Sequence, residues 1–354
     1  LVGMIATATL LTMALAGNVQ AAEIRSVGPD GEAAVDASTI ELTDDQIAQI
    51  KEGGYTAAIC LHYGGNDWST SQQKGLEDTF GELGIEIVAV TDANFSAETQ
   101  VSNIETVMAK KPDILVSIPT DATATADAYK QAAAAGIKIV FMDQRANGLE
   151  AGKDYVSVVS ADNYGNGYAS GTVLGDALGG KGKVAMVYYD ANFAPTNQRD
   201  EGFRDAMKNY PDIEIVTEQG FTDESGCAEQ GDAILTQFPN IDGIYASWDV
   251  PMEGVLSAVR AAGMEGKVTL ACNDLGNNVA REIASGNIAG GGAQMPYDQG
   301  VAEAKLAALA LLGEETPSYV AVPAETVTHE NVLEAYTDVY HVETPDWLKE
   351  AYVE

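Results

Sequence analysis

From Tyr55 onward, short β-branched apolar runs alternate with stretches of helical period, and the alternation runs through the 354-residue chain twice. The first series predicts strands at 56–61, 86–90, 114–118 and 137–142, with helices near 71–83, 98–110 and 122–135 between them. Val101, Ile104, Val107 and Met108 share one face of the helix near 98–110. A second series begins after Asn163, with strands at 184–188, 213–216, 241–246 and 268–272, each followed by a helix-compatible segment. Strand, helix and strand in this rhythm build right-handed βαβ units, so each series predicts a parallel sheet wound on both faces. The near-continuous apolarity of the strands fits sheets covered on both sides. Two such series predict two similar doubly wound α/β lobes. A late helix at 297–312 and a short strand at 319–322 fall near a crossing between them.

The length suits two lobes, and a hydrophobic share of 46% fills both cores. With 53 acidic against 19 basic residues, the net charge of −34 repels phosphate backbones and anionic membrane surfaces, which sets nucleic acid aside as a partner. The first 22 residues carry no charge, Met4 to Ala16 is apolar, and Val19-Gln20-Ala21 has the small-x-small pattern of a cleavage site. Residues 1–21 therefore read as a removed signal peptide, with an uncleaved anchor as the alternative. Residues 22–54 form an N-terminal extension, in which Thr43 or Asp44 caps a short helix running to Lys51. Cys60, Cys227 and Cys272 are odd in number and irregularly spaced, which predicts neither a disulfide framework nor a zinc site. No Cys follows the leader to carry a lipid anchor.

Ligands of doubly wound sheets sit beyond the carboxyl ends of the strands. Those positions here carry Asn66-Asp67-Trp68, Thr120-Asp121, Asp143-Gln144-Arg145, the run from Asp190 to Arg199, Phe221, Trp248-Asp249, Asn273-Asp274 and Gln294. Hydroxyl-rich molecules both donate and accept hydrogen bonds and offer weakly apolar C–H faces, so a site for them needs carboxylates, amides, an Arg and aromatic plates. Trp68, Phe221 and Trp248 are the candidate plates. Asp143 and Asp274 can accept, while Asn66, Gln144, Arg199 and Gln294 can donate.

A single Asp or Asn after a strand is more often a helix cap or turn residue, and Asp249 and Thr120 are read that way. A single aromatic is more often core packing, a reading that applies most to Phe221. Recurrence of such residues at strand ends in both series is what points to a site. Enzymatic motifs are weak by comparison. Gly179-Gly180-Lys181-Gly182-Lys183 precedes a strand and lacks the following Ser or Thr of a phosphate loop, so it reads as a turn. His62, His329 and His341 show no zinc spacing, and no calcium-loop pattern is present, so neither metal nor cofactor is expected. A doubly wound enzyme stays open as an alternative that fold alone does not remove.

Taken in order, Asn66-Asp67-Trp68 with Gly75, Ile118-Pro119-Thr120-Asp121, Asp143, Ser160-Ala161-Asp162-Asn163, Arg199-Asp200-Glu201-Gly202-Phe203, Trp248-Asp249, Asn273-Asp274 and Ala293-Gln294 form one pattern over about residues 55–328. In this order and spacing the chain resembles the ribose-type periplasmic sugar-binding proteins of ABC transporters. The resemblance implies the type I periplasmic binding protein fold, two lobes joined by a three-crossing hinge near Ser160, Gln294 and Val322. The N-terminal lobe would comprise 55–160 and 295–322, and the C-terminal lobe 161–294 and 323–354. Ligand contacts would fall on Asn66, Trp68, Asp143, Arg199, Asp274 and Gln294. Ser69, Gln144 and Trp248 stand where ribose binders have an aromatic, an Arg and an Asn, so the pocket departs from one shaped for ribose, and Arg145 is a candidate to replace the missing guanidinium. The implied function is capture of a sugar or polyol by hinge closure and delivery to an ABC permease in the periplasm, by a monomer without catalysis. The alternative is a sensory binding protein presenting a sugar-derived signal to a chemoreceptor.

Overall fold

The computed structural model describes residues 23–354; the leader expected over 1–21 lies outside the described residues. Strands β1 (Val35–Asp36), β2 (Thr56–Leu61), β3 (Glu86–Asp92), β4 (Ile114–Ser117), β5 (Lys138–Met142) and β6 (Ser157–Ala161) come first. Strands β7 (Lys181–Tyr189), β8 (Asp212–Phe221), β9 (Gly243–Ala246), β10 (Thr269–Cys272) and β11 (Gly290–Ala293) follow, and β12 (Tyr319–Val322) and β13 (Glu325–Thr328) close the series. They form a seven-stranded sheet of order β1-β12-β6-β5-β4-β2-β3 and a six-stranded sheet of order β13-β11-β10-β9-β7-β8. All pairings are parallel except that of β11 with β13.

The chain passes between the sheets three times: after β6, after β11 and between β12 and β13. Helices α1 (Asp44–Gly53), α2 (Asp67–Glu82), α3 (Ala97–Ala109) and α4 (Ala126–Ala134) cover the first sheet. Helices α5 (Asn163–Ala177), α6 (Ala194–Met207), α7 (Cys227–Gln237), α8 (Asp249–Ala261) and α9 (Asn277–Ala284) cover the second. Helix α10 (Pro296–Leu311) returns to the first lobe, and α11 (Val332–Tyr340) and α12 (Asp346–Ala351) pack on the second. Each sheet is apolar on both faces, which is why inner strands such as β4, β6 and β9 are buried along their whole length, while the edge strands β3 and β8 are partly exposed. Thr43 makes the capping box of α1 with Gln46, the cap foreseen from sequence. The three cysteines are buried and free.

The lobes share a packing device that matters for the site. In the first, α2 lies against α10, and a Cβ on Gly75 would collide with the Tyr297 carbonyl, one on Gly300 with the Gln72 carbonyl. In the second, α5 lies against α6, and a Cβ on Gly167 would collide with the carbonyl of Arg199 itself, one on Gly202 with that of Tyr164. Glycine at these positions lets the helix pairs approach backbone to backbone. The starts of α2 and α6 are thereby seated over the cleft.

Candidate binding site between the lobes

Two aspartates occupy matching places. Asp143 follows β5 and Asp274 follows β10, with φ of 53° and 69°. In each, the backbone amide donates to the neighbouring strand at 2.8 Å, Asp143 to Val159 O and Asp274 to Gly292 O. The left-handed conformation turns the chain off the sheet and brings the side chain to the cleft; Asp tolerates it better than most residues.

Arg199, from the first turns of α6, reaches between them and is 4% exposed. Its Nε donates to Asn163 Oδ1 at 2.9 Å, and its Nη1 to Ser247 O at 3.2 Å and Asp274 Oδ2 at 3.0 Å. Among the described residues Nη2 has no hydrogen-bond partner. Burial works against the guanidinium charge, but Asp274 and Asp143 outweigh it and hold the group more firmly protonated than usual. Asp274 Oδ1 accepts from Gln294 Nε2 at 2.8 Å, and Gln294 Oε1 accepts from the Trp68 indole at 3.2 Å, which ties the two lobes together. Asp143 Oδ1 is ringed at 3.0 to 3.4 Å by Ser160 Oγ, Ala161 N, Asn163 Nδ2 and Gln299 Nε2, while Oδ2 has no hydrogen-bond partner among the described residues. Burial raises the Asp143 pKa above the usual carboxylate value, with Arg199 and these donors pulling the other way.

The outer half of the cleft is aromatic. Tyr63 stacks on Phe95 at 4.2 Å between ring centroids, and His62 stacks on Phe193 of the other lobe at 5.5 Å. Full burial without a partner for Nδ1 lowers the His62 pKa to about 3, so its ring is neutral at ordinary pH. Tyr189 meets the edge of Trp248 at 5.6 Å. Across the rim, Asn277 N and Nδ2 donate to the Asp67 carboxylate at 2.7 and 2.8 Å, closing the first lobe onto the second.

A hollow, partly open to solvent, remains between these walls. It is lined by Asn66, Trp68, Asp143, Arg199, Trp248, Asp274 and Gln294, together with His62, Tyr63, Phe95, Ile118, Tyr189, Phe193, Pro195 and Thr196. Of the residues singled out from sequence, Gln144 and Phe221 stand apart. The Gln144 amide donates to Pro119 O at 2.7 Å and accepts from Ala194 N at 3.0 Å, so it fastens the start of α6 to the first lobe and does not line the hollow. Phe221, at the end of β8, belongs to the core of the second lobe and borders a neighbouring hollow. Arg145 does not replace a missing guanidinium, because it turns outward to Leu149 O and Asp30 at 2.8 and 2.7 Å. Asn66 has two roles: it lines the hollow, and its Oδ1 caps α2 by accepting from Ser69 N at 2.8 Å. Asp249 accepts from the adjacent Val250 amide at 2.8 Å, and Thr120 is held by Gln100; neither lines the hollow.

Tyr63, Phe95, Tyr189 and Phe193 were not singled out from sequence. Tyr189 lies one residue past the strand foreseen over 184–188, and Phe193 lies inside the inspected run from Asp190 to Arg199, so position alone could have flagged them. Phe95 has no such signal, since it sits at φ 59° after Asn94 at φ 46°, in a turn outside any periodic pattern.

Comparison with known proteins agrees with this geometry. The periplasmic binding protein domain matches residues 57–315. The chain belongs to the periplasmic binding protein family. Within that family it is 29% identical to the D-ribose/D-allose-binding protein of Pseudomonas aeruginosa over 273 residues, 74% of this chain and 83% of the relative. An ABC transporter periplasmic solute binding protein from Actinobacillus succinogenes, solved with bound D-allose, superposes with a TM-score of 0.73 at 29% identity, covering 78% of this chain and 99% of that one. A solute binding protein from Agrobacterium vitis, bound with α-D-tagatopyranose, gives 0.75 at 26% identity over 82% and 100%. The fold is that of type I periplasmic binding proteins, and these relatives are binding proteins of transporters. Among the described residues no helix is long and apolar enough to cross a membrane.

Proposed function

We propose that this periplasmic binding protein captures a sugar or sugar-like polyol between its lobes and presents the closed form to an ABC permease, returning the ligand unchanged. The observation that carries the reading is the pair of carboxylates from opposite lobes with Arg199 between them. Asp143 Oδ2 can accept from a hydroxyl pair and Arg199 Nη2 can donate to a hydroxyl or ring oxygen, while Trp68, Phe95 and Trp248 offer faces for C–H surfaces. A ligand that matches leaves no buried charge unpaired, and one lacking a hydroxyl strands a desolvated group, which is how such a site discriminates. Closure follows because the contacts come from both lobes, so ligand shifts the population toward the shut form. That shut form is what a permease, or a chemoreceptor, would read. Export by a cleaved leader over 1–21 belongs to the same proposal.

The test is a thermal-shift screen of the chain from residue 23 against D-ribose, D-allose, D-xylose, D-arabinose, D-tagatose, myo-inositol and the amino acids. A saturable rise in melting temperature with one sugar or polyol is expected by mass action. A rise with amino acids alone would overturn the ligand class.

A further inference from the structure

Beside the central hollow lies a second one of about 650 Å³, also partly open to solvent, which shares Tyr63, Phe95, Tyr189 and Trp248 as its wall and adds Phe221 and Glu224. Two of its groups lack a well-formed hydrogen bond. Trp248 is 6% exposed, yet among the described residues its indole Nε1 makes no hydrogen bond of ordinary geometry, and neither does the buried Oε2 of Glu224. Both line this hollow, and they face each other loosely: burial raises the Glu224 pKa, and a weak hydrogen bond from the Trp248 indole pulls it the other way. A buried donor and a buried acceptor left open near each other each cost stability unless something bridges them. A hydroxyl does so with one atom, accepting from the indole and donating to the carboxylate. The surrounding rings supply the apolar faces that a sugar ring covers: Phe221 lies 5.1 Å from Trp248, and Tyr63 is stacked on Phe95.

We infer that this second hollow is a subsite for a further ring, so that the ligand class extends from free monosaccharides to glycosides whose second ring leaves the central hollow past Tyr63 and Phe95. The inference rests on the sugar-binding reading above and deepens it. The first ring occupies the polar end at Asp143 and Arg199. The second lies along Phe221 and Trp248 and places one hydroxyl between the indole and Glu224. The subsite carries carboxylates and no cation of its own, which suits a neutral glycoside and opposes a phosphorylated one.

Titration calorimetry with matched pairs tests this: D-xylose and xylobiose, D-glucose and cellobiose, myo-inositol and galactinol. At least one disaccharide should bind ten times or more tightly than its own monosaccharide. Glu224→Ala should remove most of that gain while leaving monosaccharide affinity within about threefold, and Glu224→Gln, which keeps an acceptor, should retain most of it. Melting temperatures of both variants near the parent value exclude misfolding as the cause. Monosaccharide binding with no such gain in any pair overturns the subsite and leaves the sugar reading standing. Equal weakening of both members of a pair by Glu224→Ala also overturns it, since Glu224 would then act only by supporting Trp248. Binding by no sugar or glycoside overturns both readings.

Discussion

Asp143 and Asp274 occupy matching positions in the two lobes, just past a strand in a left-handed turn, yet their surroundings are opposite. Both oxygens of Asp274 are engaged, by Arg199 and Gln294. Only one oxygen of Asp143 is engaged, and by neutral donors. The same backbone device thus serves two ends. In the C-terminal lobe it builds a finished charge pair that fixes Arg199; in the N-terminal lobe it leaves a carboxylate oxygen without a hydrogen bond among the described residues. On the proposed function, the second lobe would hold a prepared half-site, and closure would bring the acceptor that completes it.

The largest effect should come from breaking the finished pair. Asp274→Ala leaves Arg199 buried with its main counter-charge gone, and should cost about 3–5 kcal/mol of folding stability as well as ligand binding. Urea unfolding measures it, and a loss under about 1 kcal/mol would show that Arg199 is not held as described. Asp143→Asn should separate the two aspartates. Its folded-state charge is opposed by burial, so stability should hold or rise slightly, while affinity for the sugar or polyol falls by about 2 kcal/mol, roughly thirtyfold.

A pH series sharpens the contrast. Asp143 has a folded pKa raised above its unfolded value, so the fold favours the protonated form. Its contribution is fullest below the unfolded pKa and is lost as pH rises through the folded one. Asp200, raised by burial to about 6, adds a slope of the same sign in both proteins. Between about pH 4 and 7 the parent should therefore lose more melting temperature than Asp143→Asn, and parallel curves would contradict the assignment. The smallest effect belongs to the aromatic mouth: Phe95→Ala, at a side chain 37% exposed, should weaken binding only about threefold by calorimetry.

Much of this was legible in the sequence because it follows from periodicity. Alternation placed most of the strands along the chain and called for parallel sheets, and position after a strand pointed to Asn66, Trp68, Asp143, Arg199, Trp248, Asp274 and Gln294, all of which line the hollow. Position does not carry direction, which is why Gln144, one residue past Asp143, points elsewhere, and why Phe221 faces its own core. Strand β11, Gly-Gly-Gly-Ala, left no trace because its composition opposes a strand. It consists of glycine because the backbone is crowded: a Cβ on Gly291 would strike the Cys272 carbonyl and one on Gly292 the Asn166 backbone. Helices α11 and α12, in the tail beyond 328, pack on the second lobe and complete its core, a role only the assembled fold reveals.

A crystal structure of the protein with whichever sugar or polyol raises its melting temperature most tests the site directly. The ring should lie between the lobes, with one hydroxyl on Asp143 Oδ2, another oxygen on Arg199 Nη2, and the Asp274–Arg199 pair unchanged from its 3.0 Å contact. A ligand bound without touching Asp143, or one that pulls Arg199 away from Asp274, would contradict the division of labour between the two aspartates.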